Sequence, residues 1–299
     1  MKPTRRSLFS LTAVALASLV CSCHLDRGGM VMVTDPAYRA KLVATHADGL
    51  DTPDGILWHE GKLILADEGA GSLRAWGATG GFTTLCDSTT GIHEPEDLVA
   101  DRQGNVFFTD DGAGGVWEID HHGRVFLLAG RDQGLPSTEG IALTPSGDIL
   151  VGDGKRRQVF SVDRAGKVSV FLGRRYGITK TESMVFGEQG ELYIADNVDK
   201  VVYLLTPRMK LLRLLEKRDG FSPETIWYAD EMLYITDSEN GKLWRYTPEK
   251  GLETIAVFGG SLGHVAGVTT DESGDIFVSI PDLASGMGYI IKLEREQDS

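Results

Sequence analysis

Cysteine is scarce in this 299-residue chain: Cys21 and Cys23 stand near its start and Cys86 is the only other one. Once a leader ending before Cys23 is removed and Cys23 is acylated, Cys86 is the one thiol left, no structural disulfide can form, and the fold must rest on its core. Basic residues are also in deficit, with 30 Lys and Arg against 43 Asp and Glu. That balance argues against nucleic acid as a partner, because a polyanion would be repelled. Beyond the first two dozen residues no segment shows a sustained 3.6-residue apolar pattern, which excludes a helical architecture. Motifs of nucleophile and phosphate chemistry are missing too. "FGGSLGH" is not a nucleophile elbow, since no strand-to-helix turn is available. "GAGG" and "GGSLG" lack the following helix that a phosphate cradle needs.

What the chain does carry begins with a leader. "MKPTRRSLFSLTAVALASLVCSC" has a basic start (Lys2, Arg5, Arg6) and an apolar run from Leu8 to Val20. Such a run is too short to cross a bilayer comfortably and reads as an export signal. "TRRSLF" resembles a twin-arginine motif, and "VCSC" resembles a bacterial lipobox with small Ser22 ahead of Cys23. The expectation is a signal peptide over residues 1–22, acylation at Cys23, a lipidated linker over 23–37, and a periplasmic, membrane-anchored lipoprotein. The alternative is a plain cleaved signal. Removing 1–22 takes away three basic side chains and no acidic ones, leaving 27 against 43.

Internal repetition dominates the rest. "ILADEG", "FFTDDG", "LVGDGK", "YIADNV" and "YITDSE" place Asp67, Asp110, Asp153, Asp196 and Asp237 at intervals of 43, 43, 43 and 41 residues. A sixth copy, "IFVSIP", puts Ile280 at the next step of 43. Each unit runs through a Gly-containing turn ("RQGN", "PSGD", "EQGE", "ESGD"), an alternating strand, a small-residue loop and two more strands. Period-two alternation bounded by Gly, Asp and Ser marks strands. Four strands per unit of this length is the signature of a propeller blade. The sixth unit stops after its third strand, "GYIIKLE". "YRAKLVATHADGLDTPDG" aligns on "GRVFLLAGRDQGLPSTEG", so residues near 41–44 should supply the missing strand. The fold class is therefore all-β: a six-bladed propeller over 38–299, closed by an N-terminal strand that completes the last blade.

Each hairpin also opens on an acid: Asp54, Glu96, Glu139, Glu182 and Glu224. The spacing to the second acid predicts that the two face each other across the hairpin. In the sixth unit the equivalents are Ala266 and Ile280, which would form an apolar wall. First strands are innermost in a propeller, so the first set should encircle one mouth of the channel. The outer aspartates precede tight loops and are expected to cap backbone N–H groups there. Converging carboxylates in the inner ring must share protons, disperse into water or hold a cation. An all-oxygen donor set suits Ca²⁺, or Mg²⁺, better than zinc.

The pattern P-[DE] followed by a Gly turn and a hydrophobic-x-x-Asp strand resembles the SMP-30/gluconolactonase/LRE-like family of six-bladed propellers, over residues 38 to 293. "PEDLVADRQGNVFFTDDGAGGVWEID" also resembles an NHL repeat. The resemblance implies a divalent cation, often Ca²⁺, held where Asp54, Glu96, Glu139, Glu182 and Glu224 stand, and hydrolysis of a lactone or related ester as small-molecule substrate. The family's ligand set includes Asn, which this ring lacks. Glu139 is the candidate base. His264, two positions before Ala266, is the candidate proton shuttle. Lys180 would neutralise a ring acid or bind an anionic substrate. His46 and His93 lie further from the ring, and His59, His121 and His122 read as solvent-facing turn residues. The alternative function is a non-catalytic NHL-like propeller that binds a protein or small ligand.

Overall fold

The computed structural model describes residues 31–77, 80–216, 221–282 and 287–296. The leader expected over 1–22 and the acylation site expected at Cys23 lie outside them. Alternating apolar side chains give each strand two faces that pack against neighbouring blades. Six antiparallel sheets result, five built around four consecutive strands and the sixth around three together with a strand from the N-terminal part of the chain.

The innermost strands are Pro53–His59, Pro95–Ala100, Ile141–Leu143, Ser183–Phe186, Pro223–Ala229 and Val268–Thr270. They define blades one to six. Tyr38–Thr45 pairs antiparallel with Met287–Arg295, with Leu42 opposite Ile291 and Thr45 opposite Tyr289, and so completes blade six from the other end of the chain. That closure packs the last blade against the first, so no blade face of the ring is left open. One strand was not expected. Val31–Val33, within the anticipated linker, pairs with Phe258, Val257 and Ala256 and adds a fifth strand to blade five.

Between blades the core is aliphatic and aromatic, with Leu65, Phe107, Phe108, Ile149, Ile194, Ile235 and Val278 fully buried. Cys86 is buried and unpaired, and burial pushes its thiol up to about 12.

The ends of the channel differ. At the end where the inner strands finish, Trp58, Met184, Phe186 and Trp227 line an apolar recess of about 310 Å³. His59 belongs to this end. It closes its strand rather than sitting in a turn, and its Nε2 is shielded from solvent without a hydrogen-bond partner. His121 and His122 are solvent-exposed, with ring centroids 3.8 Å apart. The end where the inner strands begin is acidic.

Candidate functional site

The two acids of each hairpin are not cross-strand partners. Asp67, Asp110 and Asp237 lie opposite Pro53, Pro95 and Pro223, one residue before the ring acid. The register then breaks, so that two residues oppose one. Blade three repeats the pattern: Glu139 N–H donates to the Gly152 carbonyl while Gly152 N–H donates to Gly140. In blade six, Ala266 N–H donates to Ser279 and Ser279 N–H to Gly267. A bulge of this kind re-aims a side chain. Here it turns the inner acid toward the channel while the outer acid stays in the sheet, so the expected facing repulsion does not arise.

The outer aspartates are buried and serve their loops. Asp67 accepts from the N–H groups of Asp51 and Thr52 and pairs with Arg74 at 2.9 Å. Asp110 accepts from His93, Glu94 and Ala113, and Asp196 from Thr179, Lys180, Val198 and Asp199. Asp153 caps Arg156, and Asp237 caps Asn240.

All five inner acids line one cavity of about 400 Å³ at the channel mouth, together with Lys180 and His264. The bulge supplies the orientation, and contacts between blades fix it. Gly55 and Gly140, next to ring acids, lie so close to the following blade that a Cβ would stand 2.3 Å from the Glu96 carbonyl and 2.6 Å from the Glu182 carbonyl. Blade two has Asp97 at that position instead, accepting from the N–H groups of Leu98 and Ile141.

The electrostatics divide the ring. Asp54 and Glu96 are hydrogen-bonded to each other. Burial, then the Asp54 charge, pushes Glu96 far above the carboxylate range. Burial also lifts Asp54 to about 7, against the hydrogen bond from Glu96. At neutral pH the pair therefore keeps a proton, donated by Glu96. On the other side Lys180 Nζ lies 2.8 Å from Glu182 Oε1 and 3.4 Å from Glu139 Oε2. Burial and the Glu224 charge raise Glu182 to about 8, with Lys180 opposing. Burial raises Glu139 as well, with Lys180 again opposing. Burial works to lower the pKa of Lys180, but Glu182 and Glu139 outweigh it and hold the ammonium above its usual range. Glu224 accepts from the Asn197 amide at 3.1 Å.

Several residues at this mouth had no role assigned from the sequence. Glu68 and Asp111 line the cavity and Asn197 reaches Glu224. Each directly follows an outer aspartate, as does Gly154 in blade three. The same position in blade six is Pro281, and Pro281 with His264 faces the cavity. The apolar wall expected from Ala266 and Ile280 is absent from the lining. Both are fully buried between strands, 1% and 0% exposed, because the blade packs them inward.

The donor chemistry fits a hard cation. The ring oxygens are all carboxylate, and among them the buried Glu182 Oε1 has its charge met by the Lys180 ammonium at 2.8 Å. The carboxylates surround a cavity rather than one point: among the described residues no three His, Cys, Asp or Glu side chains are gathered tightly enough to hold a single ion.

Together these features define a six-bladed β-propeller with an acidic pocket at one channel mouth. No protein-family model matches the sequence, and no curated protein sequence matches it. Solved structures do resemble the fold. A gluconolactonase from Xanthomonas campestris superimposes with a TM-score of 0.68 at 15% identity, covering 90% of each chain. Regucalcin from Agrobacterium tumefaciens, a calcium-binding protein, gives 0.66 at 14% identity over 87% of this chain and 96% of its own. A catalytically inactive histidine-to-alanine variant of virginiamycin B lyase from Staphylococcus aureus, solved with quinupristin, gives 0.64 at 14% identity over 87% and 100%. At these identities the likeness establishes the fold.

Proposed function

We propose that this protein is a hydrolase of lactones or related small esters, with its reaction centre in the acidic pocket. The observation that carries this reading is the convergence of five ring acids, Lys180 and His264 on one cavity at the channel mouth. The fold it shares with a gluconolactonase and a calcium-binding regucalcin supports the same reading. A divalent cation, Ca²⁺ by the hardness and irregularity of the donor set, would be held by ring acids such as Asp54, Glu96 and Glu224 only once they draw together around it. When bound, such an ion polarises an ester carbonyl and offsets ring charge.

The chain's own residues do the rest. Glu139, raised by burial, takes the proton of a water that attacks the carbonyl carbon. His264, which lines the same cavity, gives a proton to the departing alkoxide. The acyl–oxygen bond breaks and a hydroxy acid leaves. The expected export and lipid anchor at Cys23 would place this activity at a membrane surface facing the periplasm.

A lactone panel run with and without chelator, on wild type and Glu139→Gln, tests the proposal. Activity that needs the cation and falls at least roughly a hundredfold in Glu139→Gln is expected. Chelator-resistant activity that survives the substitution would count against it. The likeness to virginiamycin B lyase, with an inactive histidine variant, favours a second reading in which His264 removes a carbon-bound proton and the ester opens by elimination. ¹⁸O-water separates the two, because hydrolysis places the label in the acid and elimination does not.

A further inference from the structure

Blade three differs from its neighbours in the two loops it presents on the mouth face. After the outer aspartate its loop reads "GKRR", residues 154–157, where blades one, two, four and five read "EGAG", "DGAG", "NVDK" and "SENG". After its fourth strand it reads "GRRYG", residues 173–177, where blades one, two and five read "DSTTG", "GRDQG" and "GGSLG". The two loops are tied together: Arg174 Nε donates to the Arg156 carbonyl at 3.0 Å, and Arg157 Nη2 donates to Thr179 Oγ1 at 2.9 Å. Arg156 is spent on the Gly134 carbonyl and Asp153. Lys155, Arg157, Arg174 and Arg175 are exposed, and among the described residues no acid pairs with them. Their equivalents one blade away are used internally. Lys200, at the position of Arg157, pairs with Glu239 and hydrogen-bonds Ser222. Arg131, at the position of Arg174, gives its guanidinium to the carbonyls of Asp111, Gly112, Ala113 and Pro136.

The chain enters the ring on the same face. Val31 pairs with Phe258, which ends the fourth strand of blade five at the acidic mouth. Cys23 lies eight residues earlier, a length of at most about 30 Å. Doubling back along the strands to the other face, roughly 20 Å, would use most of it.

We propose that the mouth face is this protein's membrane face, with Lys155, Arg157, Arg174 and Arg175 resting on anionic lipid headgroups. The inference rests on the lipid anchor proposed above and adds which face meets the bilayer. The acid excess of the whole chain does not oppose it, because charges more than about 8 Å from the surface are screened at physiological salt. The nearest ring acids, Glu139 and Glu182, are already paired with Lys180. Each Lys or Arg brought to an anionic leaflet strengthens attachment roughly fivefold. The acidic pocket then opens toward the bilayer.

The full chain is expressed with its leader, purified in mild detergent and reconstituted onto vesicles of phosphatidylcholine alone or of equal parts phosphatidylcholine and phosphatidylglycerol. Hydrogen exchange read by mass spectrometry should slow roughly threefold or more at 154–157 and 173–177 on the mixed vesicles, and at neither loop on phosphatidylcholine. The triple variant Lys155→Gln, Arg157→Gln, Arg175→Gln spares the Arg174 bond and should lose the effect with its near-UV circular dichroism unchanged. Should it lose the native spectrum, added NaCl removes the same attraction from the wild type. Equal exchange on both vesicles overturns the membrane face. Slowing by inorganic phosphate without vesicles overturns it too, and assigns the rim to a soluble anion. The mass of the purified chain reads the anchor separately. Slowing without an acyl group keeps the rim and removes the anchor, while an acyl group without slowing keeps the anchor and overturns the rim.

Discussion

The hydroxyl of Thr109 donates a 2.5 Å hydrogen bond to the backbone carbonyl of Glu139, across the boundary between blades two and three. Thr236 makes the same bond to Ala266, and Ser279 makes it to Asp54. A hydroxyl one residue before the outer position thus holds the ring residue of the next blade. Thr109→Val keeps the shape but leaves a carbonyl without its partner, at a cost of about 1–3 kcal/mol. Thermal unfolding should show a lowered Tm. Activity should fall beyond what the folded fraction explains, since Glu139 loses its anchor.

A glycine makes the companion test. A Cβ at Gly140 would meet the Glu182 carbonyl oxygen at 2.6 Å and Ser183 Cα at 2.7 Å, both backbone atoms with nowhere to go. Gly140→Ala should cost about 1–3 kcal/mol by overpacking, read from denaturant midpoints. A similar loss is not expected at Gly61, where a Cβ would meet nothing within 4 Å. Its positive φ of 72° still makes an alanine there mildly strained.

Protonation of the ring gives a pH signature. Burial holds Asp54 and Asp97 at about 7 and Glu182 at about 8, all raised from the ordinary 3.8 or 4.5. The native state therefore binds more protons than the unfolded chain between roughly pH 4 and 8. Their contribution to stability is fully present below the ordinary carboxylate values and is lost as pH rises through 7 to 8. Chelator-treated protein should show a falling Tm from pH 5.5 to 8.5. Ca²⁺ should oppose the fall, because it takes over from protons as the compensating charge. A flat profile would show that the carboxylates are already ionised at low pH.

Glu96→Gln separates proton from cation. An amide can donate to Asp54 as the protonated acid does, so chelated protein should keep nearly its wild-type Tm. It supplies no second charge for an ion, so the Ca²⁺-dependent rise in Tm should shrink to roughly half or less.

The outer ring predicts the opposite balance. Asp67 is fully buried, accepts two backbone N–H groups and pairs with Arg74. Asp67→Ala strands those donors and the guanidinium, and should cost about 3–5 kcal/mol whether or not Ca²⁺ is present. Equilibrium unfolding in both conditions reads this directly.

Much of this was legible in the residues. Aspartates at intervals of 43 and alternating strands specify blades because a sheet face repeats every second residue. The ungapped match of "YRAKLVATHADGL" to a fourth strand located the closure. The acid positions were legible as members of two rings, but their relation across the hairpin was not. A one-residue bulge leaves the spacing of 14 between Glu96 and Asp110 unchanged while reversing which face each side chain takes. Glu68, Asp111, Asn197 and Pro281 share one register position, yet nothing local says that this register faces the channel.

The sequence by itself determined the number of blades, their strand order, the closing partner and the set of acids at one mouth, because each follows from periodicity and chain direction. Only the tertiary structure decided how those acids are neutralised. Whether Glu96 shares a proton with Asp54, and whether Lys180 lies against Glu182 and Glu139, depends on distances between blades. Those distances are set by packing of residues some 40 positions apart, as at Gly140 against Glu182.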